Sequence, residues 1–324
     1  MPSVRVSVGS RLHVGFQNLS LSHERLYGGV GVAIEDPRIE LTAAPADAVT
    51  CDDETVAAFA RSVCDLIDVD GIDIEVESTL PRHVGLGSGT QLALSTLAAI
   101  GEAYGIEPRI RDRAPWLGRG GRSGVGVATF ESGGFVVDAG HPTERFTTEP
   151  PATGDWDVPA VISRCPVPEE WRFLVVTPDA PKGRSGRLED RSVRSVVESA
   201  DPMVADDLAI LLLRRLLPAL ATGRLEPFGD AVSEFGRLNG VWYADEQGGV
   251  YRPPAGKILD ALADVSAITG LGQSSWGPTV YGIIDVDRAG EARRGAADVL
   301  DAAGLEAMIR IVEPRNEGAT VRRL

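Results

Sequence analysis

Residues 81–91, Pro-Arg-His-Val-Gly-Leu-Gly-Ser-Gly-Thr-Gln, set Gly85, Gly87 and Gly89 and the hydroxyls of Ser88 and Thr90 between a predicted strand and a predicted helix. Ahead of them Ile72, Ile74 and Val76 alternate with Asp73, Glu75 and Glu77, the period of a half-buried strand. Behind them Ala93, Leu97, Ile100 and Tyr104 recur at helical spacing, and Gly105 stands where a C-terminal cap is expected. Glycines in such a turn let backbone N–H groups close on an anion, and the helix N-terminus adds partial positive charge. The segment therefore predicts a strand–turn–helix unit that holds a phosphorylated ligand. Taken alone, a tight turn with no ligand is the plainer alternative. Two common phosphate loops are excluded. No Gly-Lys-Ser/Thr follows the glycines, and the G-x-G-x-G spacing differs from G-x-G-x-x-G, with no strand to carry an acidic residue about 20 positions on.

The chain's 324 residues and 43% hydrophobic content suffice for two domains with ordinary cores. The start, Met1-Pro2-Ser3-Val4-Arg5, runs into an alternating pattern with no apolar signal core, and no membrane-length apolar segment follows, so a soluble cytoplasmic protein is expected. Cys51, Cys64 and Cys165 are odd in number and far apart, and support neither a disulfide framework nor a zinc site. The formal charge of -15 argues against nucleic acid or an anionic membrane as the main partner. Only Lys182 and Lys257 are lysines, so arginine must supply most of the phosphate and carboxylate recognition. An acidic, lysine-poor surface fits a high-salt cytoplasm; a GC-rich genome that favours arginine is the competing account.

Residues 4–8 and 30–43 read as strands flanking a loop, with a helix near 53–68 and then the glycine-rich unit. A second turn, Leu117-Gly-Arg-Gly-Gly-Arg-Ser-Gly-Val-Gly-Val127, alternates glycines with Arg119 and Arg122 and reads either as anion-binding or as a flexible connector. The apolar run from Gly134 to Val137 ends in Asp138, and Asp138 and His141 either face a cleft or cap the strand. The proline-rich stretch 141–168 reads as a linker, dividing the chain into domains 1–165 and 166–324. In the second domain, strands are expected at 171–177, 279–285 and 307–313, with a polar loop over 178–187. Helices are expected near 204–222, 226–238, 255–268 and 287–303, which makes an α+β layer on an antiparallel sheet.

The two glycine-rich turns and Leu271-Gly-Gln-Ser-Ser-Trp-Gly-Pro-Thr-Val-Tyr281 are ordered like the three motifs of the GHMP kinase superfamily, and the resemblance spans nearly the whole chain. It implies a GHMP kinase-like α+β fold: an N-terminal domain like ribosomal protein S5 domain 2 and a C-terminal ferredoxin-like domain, with the site between them. One departure stands out. Where many GHMP kinases resemble S-G-x-D, with the aspartate accepting the substrate hydroxyl proton, this chain reads Ser123-Gly-Val-Gly126. Six segments in order more closely resemble the β-ribofuranosylaminobenzene 5′-phosphate synthase family, a branch that is not a kinase. They are Ser10-Arg-Leu-His13, Gly28-Gly-Val-Gly31, His83 to Gln91, Gly118 to Val127, Gly133 to His141, and Ser275-Trp-Gly-Pro-Thr279.

That resemblance implies a decarboxylating phosphoribosyltransferase on the way to methanopterin. Its substrates would be phosphoribosyl pyrophosphate and 4-aminobenzoate or 4-hydroxybenzoate, its released products carbon dioxide and pyrophosphate, its metal Mg2+ and its assembly a homodimer. It assigns pyrophosphate to Gly85, Gly87, Ser88, Gly89 and Thr90, and the ribose 5′-phosphate or the mouth of the site to Arg119, Arg122, Ser123 and Gly124. Arg25 would grip the benzoate carboxylate, so that Arg25→Ala would abolish turnover, while Arg11 and His13 would contact phosphate or the ring's amino or hydroxyl group. Asn18 takes a position where an acidic residue is expected in related sequences. Gly28, Gly29 and Thr279 would border substrate, Trp276 would stack on the ring, and Lys182, Arg184 and Arg187 would form a basic lid. An ATP-dependent GHMP small-molecule kinase and a non-catalytic relative binding a phosphorylated ligand stay open as alternatives.

Overall fold

A computed structural model describes residues 3–147, 151–181 and 187–324, with the side chains of 187–191 left aside. The N-terminal half is built on a long hairpin, β1 (Val4–Asn18) with β2 (Arg25–Pro45), followed by α1 (Glu54–Ile67), β3 (Ile72–Ser78), α2 (Ser88–Tyr104), α3 (Ile110–Arg113), α4 (Val125–Ser132), β4 (Phe135–Asp138), β5 (His141–Pro142) and β6 (Val161–Cys165). The strands form one antiparallel sheet in the order β1-β2-β4-β6, with β3 and β5 also pairing β2. The C-terminal half runs β7 (Trp171–Pro178), α5 (Arg187–Ser199), α6 (Pro202–Leu211), a π-helical turn, α7 (Leu217–Ala221), α8 (Leu225–Gln247), α9 (Ala255–Leu262), β8 (Gly270–Gln273), β9 (Val280–Asp285), α10 (Ala289–Ala302) and β10 (Ala307–Val312). Its sheet order β10-β7-β9-β8 is the βαββαβ arrangement of a ferredoxin-like layer. The last strand, β11 (Thr320–Arg323), returns to pair with β1 in the first sheet.

The local patterns explain where the early elements start and stop. Asp53 caps α1 by accepting from the amides of Thr55 and Val56, and α2 ends at Gly105 in the left-handed conformation. Ile72 and Ile74 are buried under α1 and α2 while Asp73, Glu75 and Glu77 face out. Residues 10–18 and 25–29, expected as loop, are strand. Register shifts between Val8 and Ser10 and between His13 and Gly15 break the period-two alternation, and the second half of β1 is buried on both faces. The 141–168 stretch likewise contains β6, which pairs with β4 in the first sheet. No helix among the described residues is long and apolar enough to cross a membrane.

Two cores result. One lies between β1–β3 and α1, α2 and α4; the other joins the far halves of β1 and β2 to β7, β9 and the α5–α8 layer through Leu12, Val30, Phe135, Phe173 and Phe228. Because the second core crosses from one half of the chain to the other, the glycine-rich turn before α2 is held against the 274–279 turn of the C-terminal sheet.

Candidate active site

The turn ahead of α2 is bolted in place from two sides. From β1, the Arg11 amide donates to Leu86 O (3.2 Å) and the Arg11 guanidinium to Gly85 O (2.9 Å). From the 274–279 turn, Ser274 Oγ donates to Gly85 O (2.7 Å) and the Thr279 amide to Val84 O (3.2 Å). Ser274 Oγ also accepts from the His13 amide at 3.0 Å, so one hydroxyl ties β1, the turn and β8 together. Gly85 (φ 99°) and Gly87 (φ 77°) need the freedom of glycine. A Cβ on Gly85 would also lie 2.3 Å from Ser274 O. No side chain caps α2, and while the Thr90 and Gln91 amides donate to Gly87 O, those of Ser88 and Gly89 are placed to meet an exogenous anion.

The second turn adds charge to the same place. Arg119 lies over the Phe59 ring (5.3 Å) and so close to the first turn of α2 that a Cβ on Gly89 would be 3.0 Å from its Nη1. Trp156 holds that turn by donating its Nε1–H to Arg119 O (2.9 Å). Behind it a buried chain runs from His13 through Ser123 to Asp138. Ser123 Oγ donates to Asp138 Oδ2 (3.3 Å) and lies 3.2 Å from His13 Nε2, a set satisfied when His13 carries its proton on Nε2. Asp138 is fully buried and also accepts from the amides of Gly124 (2.7 Å) and Gly140 (2.9 Å). Burial pushes its carboxyl up from the usual range, against the amide and hydroxyl donors that favour the ionised form. Burial, then the charges of Arg11 and Arg122, hold His13 well below the usual histidine value, so it is neutral at physiological pH.

These elements enclose a cleft of about 1290 Å3. Among the described residues Arg11, Arg82, Arg119, Arg122, Arg145 and Arg194 line it, against two carboxylates, Asp155 and Asp157. Arg82 is paired with Asp53 at 2.6 Å and Arg145 with Asp157 at 3.2 Å. In an acidic protein this is a local reversal of charge suited to anionic ligands.

Of the residues expected at the site, Arg11, His13, Gly85, Gly87, Ser88, Gly89, Thr90, Arg119, Arg122, Ser123 and Trp276 line this cleft. Arg25 does not. Its exposed guanidinium donates to Ala139 O (2.5 Å) and Gly140 O (2.7 Å), fastening β2 to the turn after β4. Asn18 closes the β1–β2 turn by bonding Ser20 and the Arg25 carbonyl, so a charge there is not part of the cleft. Gly28 and Gly29 also stand back from it. A Cβ on Gly29 would strike Ser123 Oγ at 2.1 Å, so this glycine makes room for the buried chain. Gly124 serves the same chain through its amide, and Thr279 is buried beside Thr177 at 3.2 Å. Lys182 and Arg184 lie outside the described residues, as does the Arg187 side chain.

Arg82, Arg145, Arg194 and Tyr27 were missed. Arg145 falls in the stretch read as linker and Arg194 on α5, in a segment given no helix; the odd wealth of arginine over lysine was the one signal available. The structure also accounts for Gly126. A Cβ there would meet the Thr90 side chain at 3.0–3.3 Å in a buried position, so a side chain at 126 requires Thr90 to give way.

The sequence matches the GHMP kinases N terminal domain over residues 54–134 and the GHMP kinases C terminal domain over residues 216–302. It is similar to the beta-ribofuranosylphenol 5'-phosphate synthase of Archaeoglobus fulgidus, 33% identical over 98% of this chain and 99% of that protein. The protein of the same name from Methanothermobacter thermautotrophicus is 30% identical over 97% of each chain. Among solved structures, homoserine kinase from Cytophaga hutchinsonii superposes with a TM-score of 0.64 at 16% identity, over 99% of this chain and 97% of that one, a likeness of fold. With identity at this level across essentially the full length, the chain belongs to the beta-ribofuranosylphenol 5'-phosphate synthase family and has the two-domain GHMP kinase fold.

Proposed function

We propose that this protein joins phosphoribosyl pyrophosphate to 4-hydroxybenzoate or 4-aminobenzoate and releases carbon dioxide and pyrophosphate. The observation that carries the reading is the arginine-lined cleft gathered around the uncapped N-terminus of α2, at a position where position 126 offers no base. In this reading the C1–pyrophosphate bond breaks with its electron pair leaving on oxygen. The ring carbon that bears the carboxylate donates a pair to C1, and the carbon–carboxylate pair then returns to the ring as carbon dioxide departs. The exchange needs no net proton, so the absence of a carboxylate base at Gly126 costs it nothing.

The chain's own groups suit each stage. The α2 amides, Ser88, Thr90 and Arg119 hold the departing pyrophosphate, and their interactions strengthen as its charge grows. Arg11 and Arg122 replace Arg25 as partners of the benzoate carboxylate. His13, kept neutral, adds no positive charge beside a carbon that is becoming cationic. Among the described residues no three His, Cys, Asp or Glu side chains group as a metal site, so Mg2+ would ride chiefly on pyrophosphate oxygens with Ser88 and Thr90 at hand. Its chemistry there would be to offset leaving-group charge. The -15 net charge fits working conditions of high salt, and a homodimer is the proposed assembly, which sedimentation of the purified protein would test.

The deciding experiment supplies phosphoribosyl pyrophosphate, magnesium and carboxyl-labelled 4-hydroxybenzoate or 4-aminobenzoate in molar KCl, and follows labelled carbon dioxide and pyrophosphate together. Equal release of both is expected and names the acceptor. Release of neither, with ATP consumed in the presence of a small alcohol, would return the protein to the kinases.

A further inference from the structure

Helix α8 carries glycines at 229, 236 and 240, and close neighbours demand two of them. A Cβ on Gly229 would lie 1.9 Å from Thr269 O and one on Gly240 2.1 Å from Val250 O. Gly236 differs, because a Cβ there would meet nothing within 4 Å and its backbone lies outside the left-handed region. Glycine is a poor helix former, so neither backbone nor packing accounts for its place in mid-helix. What it leaves open is one wall of a small cavity of about 50 Å3 behind His13 and Phe16.

The lining of this cavity is uncharged. Phe16, Tyr243, Tyr251 and Trp276 supply aromatic surface, with Tyr243 and Trp276 edge to face at 4.9 Å. Gln247 and Gln273 supply neutral amides, and Gln273 is fixed by the Arg252 amide (2.9 Å) and Ser275 O (3.0 Å). His13, Phe16, Ser275 and Trp276 also line the arginine-rich cleft, so the two spaces adjoin. At about 50 Å3 the cavity has room for a small neutral polar substituent and not for a whole ring, so a ligand lying across that boundary would place the substituent on one side and its ring and anionic end on the other.

Resting on the function proposed above, we infer that this cavity receives the hydroxyl or amino end of the aromatic acid, with the ring at its mouth between Phe16 and Trp276 and the carboxylate left at Arg11 and Arg122. Gly236 is then a specificity-determining position that keeps the substituent's space open. Calorimetric titration of the full-length protein with 4-hydroxybenzoate and, separately, with inorganic pyrophosphate tests this. Gly236→Leu is expected to raise the 4-hydroxybenzoate Kd at least 10-fold with pyrophosphate binding unchanged. Gly236→Ala, which improves the helix and so keeps the fold, is expected to raise it about threefold while raising Tm. If the wild-type protein binds no 4-hydroxybenzoate, the functional reading falls. If it binds and Gly236→Ala and Gly236→Leu bind as tightly as wild type, the cavity takes no part in holding the acid and this inference alone is overturned.

Discussion

His13 makes stability depend on pH in a way that can be isolated. Its native-state pKa is depressed, first by burial and then by Arg11 and Arg122, below the 6.5 of an unhindered histidine. The unfolded chain therefore takes up a proton as pH falls through 6.5 that the native protein refuses, and stability present above that value is lost toward the native pKa. With one full proton in the window, lowering pH from 7.5 to 5.5 removes about 1.4 kcal/mol through this residue. His141 is shifted the same way, first by burial, and contributes a parallel loss. His13→Gln retains an N–H for Ser123 but cannot titrate, so urea unfolding at both pH values should show the loss in the variant smaller than in wild type by about that 1.4 kcal/mol. Carboxylates elsewhere contribute equally to both proteins and cancel. An identical pH dependence in wild type and His13→Gln would refute the account, since it would mean that the buried imidazole is protonated with its neighbours' consent.

Arg25→Ala should cost about 1 kcal/mol of unfolding free energy, by releasing two carbonyls from an exposed guanidinium, and should leave benzoate-dependent turnover measurable. Abolished turnover at unchanged stability would restore Arg25 to the site. Gly126→Asp forces a carboxylate against Thr90 in a buried position, and should lower stability by about 2–4 kcal/mol without creating ATP-dependent phosphotransfer. A variant that melts like wild type and phosphorylates a small alcohol would show that the lost base alone separates this chain from the kinases.

Sequence served best where one segment decides its own structure. Asp53, Gly87 and Gly105 mark helix ends through bonds within a few residues, and α1, β3 and α2 fall where the pattern puts them. It failed where distant chain supplies the environment. Residues 10–18 are strand because both their faces are covered, and bulges at Val8/Ser10 and His13/Gly15 erase the alternation that would have shown it. β8, four residues long with glycine at 270 and 272, offers almost no pattern. Arg25 carries the same guanidinium as Arg11, yet its nearest acceptors turned out to be carbonyls 114 and 115 positions away, which no local spacing reveals. The cleft's charge was foreseeable only as an excess of arginine; which six converge is a tertiary fact.

The relation between this site and a phosphotransferase site follows from where charge moves. In the proposed function both hold a polyphosphate on the first turn of α2, so the glycine-rich turn, its brace from Ser274 and the nearby arginine would serve either chemistry. A kinase must also take a proton from an attacking hydroxyl, and it needs a base facing the transferred phosphoryl group. A carbon nucleophile that expels carbon dioxide delivers its own electron pair and gives up no proton, so a base there would be idle. A carboxylate beside the cationic sugar carbon would even compete with the acceptor for it. Thr90 stands against Gly126, and the Asp138 carboxylate is engaged by Ser123 and the amides of Gly124 and Gly140, so neither position presents a free carboxylate to the cleft. In the proposed function the polyphosphate half of a kinase site is kept, and its carboxylate base is not needed.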